Sequence, residues 1–167
     1  EIVIIQDSAK TIDPYAFHNC KSIVEIEIPL KVKKIGNHSF CSCTNLKKIN
    51  IPNIDTIEES TFCECTSLEQ IIIPPSITSI GKKAFHNCTS LKEIQIPKSL
   101  TTINEQAFYN CYNLTKIEFS PDSTLKSICC SAFEKCKKIK NIKIPSSVNN
   151  IEKSAFNECL SLKNIDI

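Results

Sequence analysis

The sequence predicts an α/β repeat, a solenoid of about seven short turns. A parallel β-sheet would line one face, with short extended segments and single helical turns on the other. Three observations predict it. Seven cysteines, Cys20, Cys43, Cys65, Cys88, Cys111, Cys136 and Cys159, recur at intervals of 23, 22, 23, 23, 25 and 23 residues. Phenylalanine recurs in step three positions earlier, at Phe17, Phe40, Phe62, Phe85, Phe108, Phe133 and Phe156, which is seven of the eight Phe in the chain. Six and eight positions after the cysteine stand apolar pairs such as Ile26 and Ile28, Ile71 and Ile73, or Ile94 and Ile96. A fixed period of this size marks stacked repeats.

Each element of the repeat follows from its residues. In Leu91–Pro97, Ile94 and Ile96 alternate with Glu93 and Gln95, the period-two pattern of a strand with one buried face. Proline closes the segment at Pro29, Pro52, Pro74, Pro97 and Pro145, removing a ladder donor where the chain must turn. A second apolar pair spaced by three, such as Ile77 and Ile80 or Val148 and Ile151, predicts a short extended segment. The Ala-Phe-x-x-Cys piece reads as one helical turn, best signalled by Asp13 as N-cap and Pro14 at the first helical position. Phe17 and Cys20, at i and i+3, would then share an inward face. No single copy can bury its apolar residues alone, so the copies must stack.

The unequal intervals fall where a loop tolerates them. The interval of 22 loses its residue between Ile51 and Ile57, and the interval of 25 gains two between Phe119 and Ile128, where Ser120 and Pro121 replace the usual proline. Residues 1–167 read as one solenoid whose first and last repeats are incomplete. Both ends fall inside a strand motif (Val3 and Ile5; Ile165 and Ile167) without a polar cap. This predicts a fragment of a longer array, or caps outside this segment.

Composition excludes several functions. The net charge is +2, from 20 basic and 18 acidic residues, too balanced to imply nucleic acid or a membrane surface. Gly36 and Gly81 are the only glycines and lie too far apart for a phosphate-cradling loop. His18, His38 and His86 form no HExxH pair, so the usual zinc-hydrolase helix is absent. No apolar run approaches the ~20 residues of a spanning helix, and no signal peptide opens the segment.

The consensus LxxIxIPxxVxxIxxxAFxxC covers nearly the whole chain. It closely resembles the BspA-like leucine-rich repeat family, related to the repeats of treponemal leucine-rich proteins. The resemblance implies a right-handed solenoid that binds proteins, often in adhesion to host matrix or to other cells. It implies a cell-surface or secreted setting, with no catalytic residues and no cofactor. The alternative is an intracellular scaffold or signalling module of the same fold, in the cytoplasm.

The cysteine ladder reads as buried free thiols. Seven members cannot pair off, and a small hydrophobe with a weak donor suits an interior column. Unpaired thiols argue against secretion, whereas sequons at Asn37, Asn87 and Asn113 permit it, so the compartment stays open. Directly after each ladder Phe, one column reads His18, Cys41, Cys63, His86, Tyr109, Glu134 and Asn157. A zinc site there is discounted, because the two histidines would stand ~14 Å apart. A Cys41–His18 catalytic pair has no orienting third group. Two accounts of Cys41 and Cys63 remain, a mixed surface column or a disulfide. Adjacent Cys129 and Cys130 would point one inward and one outward.

The outward strand positions form the candidate protein-binding face: Lys48, Gln70, Glu93 and Lys116 in one column, Asn50, Ile72, Gln95 and Glu118 in the other. Glu25 beside Lys48 and Glu93 beside Lys116 would make cross-strand ion pairs. Aromatic anchors are absent, and Tyr109 and Tyr112 mark an alternative edge. Charge is segregated: Lys126–Lys143 holds six lysines and one acid, while Glu58, Glu59, Glu64 and Glu69 cluster earlier. The basic end could attract an acidic glycan. Nucleic acid is not expected, because no stacking aromatics interleave with these lysines.

Overall fold

The computed structural model describes residues 1–166, coiled as a parallel β-solenoid of about seven turns. Each turn contributes one strand to each of two faces. They are β1 (Ile2–Ile4) and β2 (Thr11–Ile12), then β3 (Glu25–Glu27) and β4 (Lys34–Ile35), then β5 (Lys48–Ile49) and β6 (Thr56–Ile57). The fourth turn supplies only β7 (Ser79–Ile80). Then come β8 (Glu93–Ile96) and β9 (Thr102–Ile103), and β10 (Lys116–Phe119) and β11 (Ser127–Ile128). β12 (Asn141–Lys143), β13 (Asn150–Ile151) and β14 (Asn164–Asp166) complete the coil.

Every pairing is parallel and joins equivalent residues of neighbouring turns, as in Glu25↔Lys48 and Lys116↔Glu93. On the first face the ladder runs β1-β3-β5, β8-β10 and β12-β14. Its two breaks coincide with the two unequal intervals. Gln70–Ile73 keeps its alternation of exposed and buried residues but forms no strand. The turn before it is one residue short, and Pro74–Pro75 lacks two donors at its end. The second face pairs β2 with β4, and β6, β7, β9, β11 and β13 in succession.

The expected helical turn is not there: no helix occurs among the described residues. Two residues in every copy have a left-handed backbone, one two positions before Phe and one just before Cys. In the first copy these are Tyr15 (φ 61°) and Asn19 (φ 60°), and the same pair recurs through Ser154 (φ 59°) and Glu158 (φ 55°). A helix needs consecutive right-handed residues, so Asp13 and Pro14 open a run of tight turns instead. Alternate N–H groups bond locally, Ala16 to Asp13 O at 3.2 Å and His18 to Tyr15 O at 3.0 Å. The others reach the next turn of the coil, Phe17 to Ser39 O at 2.8 Å and Asn19 to Cys41 O at 2.7 Å. A left-handed non-glycine residue costs about 1–2 kcal/mol, and these cross-turn bonds offset that cost.

The two glycines permit close backbone approach. A Cβ on Gly36 would stand 2.5 Å from the Pro14 nitrogen, and one on Gly81 2.7 Å from the Glu58 carbonyl carbon.

The core is one continuous column. The seven ladder phenylalanines stack in parallel, with centroids 5.1–5.6 Å apart and planes within 15°, inside the range of favourable offset stacking. Each ladder cysteine from Cys43 onward donates its S–H to the carbonyl of the phenylalanine one turn back. Cys43 reaches Phe17 O at 3.1 Å, Cys88 reaches Phe62 O at 3.2 Å, and Cys159 reaches Phe133 O at 3.2 Å. The same carbonyl accepts the N–H of its own copy's cysteine, as Cys20 N to Phe17 O at 3.2 Å. Such thiol bonds are weak singly, but repetition makes the column specific for a small side chain that also donates. All eleven cysteines are free thiols.

Burial pushes the Cys43 thiol up to about 11 and that of Cys159 up to about 12. Burial also raises Cys65, Cys88 and Cys111 well above the ordinary range.

Phe85→Ala removes the middle of the ring stack and should cost about 3–5 kcal/mol. Urea titration checks it, and an unchanged midpoint would refute the column. The thiols set the alkaline limit. Their raised folded pKa makes this stability complete below the unfolded pKa of about 8.5, and it is lost as pH rises toward the folded values. Cys43, Cys65, Cys88, Cys111 and Cys159 should therefore each withdraw about 1 kcal/mol between pH 8 and 9.5, and Cys88→Ala should make the fall shallower. Alkylation in denaturant without reductant should modify all eleven cysteines; protection of Cys41 and Cys63 together would show a disulfide there.

Candidate binding face

On the first face, successive side chains alternate inward and outward, and stacking aligns the outward ones in rows. Lys48, Asn50, Gln70, Ile72, Glu93, Gln95, Lys116 and Glu118 are all exposed. Their polar groups are knitted from turn to turn. Lys48 Nζ donates to Glu25 Oε1 at 2.7 Å, and this bond holds the Lys48 ammonium above its usual range. Asn50 turns back to clamp Ile28, accepting its N–H and donating to its carbonyl, both at 2.8 Å. Its amide thereby replaces a strand rung beside the first ladder break.

One expected pair is different. Lys116 stands opposite Glu93 in register, yet its Nζ lies 2.6 Å from Glu118 Oε1. Residues i and i+2 of one strand share a face, so Glu118 lies within reach on the same strand. Gln95 Nε2 also donates to Glu118, at 3.4 Å. The bond lowers Glu118 and raises Lys116 from their ordinary values. Glu93 thus keeps its carboxylate free of any salt bridge among the described residues.

The face divides into two grooves. The first, of about 900 Å³, is walled by Ile4, Glu27, Leu30, Asn50 and Ile72. Ile72 is 85% exposed, Leu30 78% and Ile4 74%, so three large aliphatic side chains line it in water. The second, of about 1290 Å³, is walled by Pro75, Gln95, Glu118, Lys143 and Asp166 and mixes prolines with charged side chains. Ile72 was visible in the sequence as an outward residue; Leu30 and Ile4 were not singled out, because the turn that presents Leu30 follows the strand rather than belonging to it.

The alternative edge is already occupied by its own neighbours. Tyr109 stacks on His86 with centroids 4.8 Å apart, and Lys135 Nζ donates to its hydroxyl at 2.6 Å. Lys138 and Lys137 lie over the Tyr112 ring, 5.4 and 5.9 Å from its centroid. In the column behind Phe, Cys63 Sγ is 4.0 Å from His86 Nδ1. Burial, then Cys41, pushes the Cys63 thiol up to about 12, and burial, then Lys83, lowers His86. A thiol so held is a poor nucleophile. No three His, Cys, Asp or Glu side chains converge to hold a metal among the described residues. Cys129 and Cys130 are both half-buried, rather than one inward and one outward. Of the three sequons, Asn37 is exposed, whereas Asn87 and Asn113 are bound to neighbouring turns.

No helix among the described residues is long and apolar enough to cross a membrane. The chain matches the model of the BspA type leucine rich repeat region in six copies, over residues 1–115 and 55–167. No curated protein matches it. Among solved structures, it is similar to a leucine-rich repeat protein from Bacteroides ovatus, at 34% identity and a TM-score of 0.92, over 99% of this chain and 45% of that one. A leucine-rich cell surface protein from Faecalibacterium prausnitzii matches at 29% identity and a TM-score of 0.88, over 98% of this chain and 46% of that one. The chain thus spans about half the length of these two relatives. The leucine-rich repeat protein of T. pallidum, at 23% identity and a TM-score of 0.67 over 83% of this chain and 77% of that one, shares the fold. With the repeat, the ladder and the model match in agreement, the chain belongs to the BspA-type leucine-rich repeat family.

Proposed function

We propose that this chain is a non-enzymatic, protein-binding repeat domain of a cell-surface or secreted protein, and that its strand face docks a partner in adhesion to host matrix or to another cell. The observation that carries the reading is the set of eight exposed residues on the first face beside a groove with three exposed aliphatic side chains. Solenoids present extended surfaces of this kind to partners. The family membership and a relative described as a cell surface protein support the setting. The face lacks aromatic anchors, so affinity per site should be modest, with useful avidity coming from repetition. A second reading, an intracellular scaffold, is favoured by the eleven free thiols.

Surface plasmon resonance against immobilised extracellular-matrix proteins tests the first reading. Micromolar binding is expected, weakened at least tenfold by Ile72→Lys with Glu93→Arg, with thermal unfolding unchanged because both side chains face solvent. No binding to any matrix protein would leave the scaffold reading. Binding that survives those changes but is lost in Tyr109→Ala with Tyr112→Ala would move the site to that edge.

A further inference from the structure

Lysines in the earlier turns sit beside acids from neighbouring turns. Lys48 pairs with Glu25, Lys92 with Glu69, and Lys82 with Glu105. Glu69 lies close enough to Lys47 for that lysine to help lower its carboxyl below the ordinary value. On the edge leading from each ladder cysteine into the strand, Lys92 and Glu69 form such a pair, and Glu69 is the edge's acid; the end of the coil has none. There it reads Tyr112–Thr115, then Lys137–Lys140, then Leu160–Lys163. It carries Lys137, Lys138, Lys140 and Lys163 and not one acid.

The backbone brings these lysines together. Lys163 N donates to Lys140 O at 2.9 Å, and Ser161 N to Lys137 O at 3.2 Å, so the two groups lie on adjacent turns about 5 Å apart. Lys138, Lys140 and Lys163 are exposed. None of the four makes a salt bridge among the described residues. Lys138 is held in place by Asn113 Oδ1 at 2.7 Å and by the Tyr112 ring, so its ammonium is positioned without being neutralised. Like charges at this spacing repel, and nothing within the chain offsets them.

We infer that this edge is a second interaction surface, distinct from the strand face, that takes a sulfated or carboxylated polysaccharide. Three of the lysines lie along one turn and the fourth on the next, a compact cluster of ammonium groups that suits the closely spaced anions of a charged polysaccharide. Two features count against nucleic acid. Every basic residue is lysine, with no arginine to fork onto a base edge. The edge carries a single aromatic ring among the described residues, Tyr112, with Lys137 and Lys138 over it, whereas single strands are held by successive stacking rings. Among the described residues this end of the edge exposes two large hydrophobic side chains, Tyr112 and Leu160, too little to anchor in a lipid surface.

The test measures binding of the intact chain to a fluorescent heparin oligosaccharide, a single-stranded oligonucleotide, and phosphatidylserine–phosphatidylcholine vesicles. Heparin should bind, with affinity falling on the order of a hundredfold between 50 and 200 mM salt for four ionic contacts. Lys137→Glu, Lys138→Glu, Lys140→Glu and Lys163→Glu together should abolish that binding. A milder Lys→Gln set, checked by thermal unfolding, should weaken it at least tenfold. The control reverses Lys10, Lys31, Lys33 and Lys34, an equally charged group on the early turns where Asp13 and Asp55 are interspersed. Heparin affinity close to that of the unaltered chain is expected there. An equal loss in the control would mean that net charge alone drives binding, and the inference fails. It fails also if heparin does not bind, or if the oligonucleotide or the vesicles bind as tightly through the same lysines.

Discussion

The rise of the coil at the phenylalanine column constrains everything else. Offset rings stack at 5.1–5.6 Å, whereas hydrogen-bonded strands repeat at about 4.8 Å. The backbone at the column is nonetheless hydrogen-bonded from turn to turn like the strands, as Phe17 N to Ser39 O at 2.8 Å and Phe85 N to Ala107 O at 2.7 Å, so the rings stack offset within that spacing. The thiol bonds fix the phase of this stacking, because each Phe carbonyl must meet one cysteine N–H from its own turn and one S–H from the next. A side chain larger than cysteine would crowd the rings. A purely apolar one would leave the carbonyl with a single partner.

That constraint also decides where the coil can vary. The ring column admits no insertion, so length changes move to the connection after the strand, and the strand face absorbs them as breaks in its ladder. The breaks shape the binding face. Where the ladder stops after β5, Asn50 completes it with its amide, and the segment that follows carries Ile72 outward. The apolar groove lies beside this irregularity, while the regular β8–β10 pair presents only polar residues. Irregularity in the repeat thus lies beside the groove, whose other aliphatic side chains, Ile4 and Leu30, come from the regular first and second turns.

Much of the architecture was legible because burial at a fixed period leaves a plain trace. The strand alternation, the second extended segment and the inward Phe and Cys columns all appear where the spacing places them. The helical turn did not appear, and the reason lies in the residues. Left-handed backbone is usually signalled by glycine, yet this chain has two glycines, and neither has positive φ. Its left-handed positions are filled by residues such as Tyr15, His38, Lys83 and Glu64, which carry no such signal, so Phe and Cys at i and i+3 looked helical. The outward columns could be placed from alternation alone. What each polar side chain does there could not, since Lys116 had both Glu93 and Glu118 in reach and only the geometry chose. The apolar groove was half visible, through Ile72 but not through Leu30 or Ile4.

Free thiols in quantity are commonly taken to place a protein in a reducing compartment. Here the inference is weaker than the count suggests. Oxidation and exchange proceed through the thiolate, and the buried ladder thiols Cys43, Cys65, Cys88, Cys111 and Cys159 are driven away from it by burial. Their S–H groups are also committed to Phe carbonyls. Thiols held in this way are poor nucleophiles, so their number does not by itself argue for a reducing compartment. The cysteines that bear on the question are those outside the ladder. Cys129 is half-buried, with burial and then Glu152 raising its thiol, so it too is poorly reactive. Cys41 is buried and Cys63 is held near 12, and Cys130 is half-buried. Eleven free cysteines therefore reduce, for the purpose of assigning a compartment, to very few informative ones, and the column that dominates the sequence is silent on where the protein works.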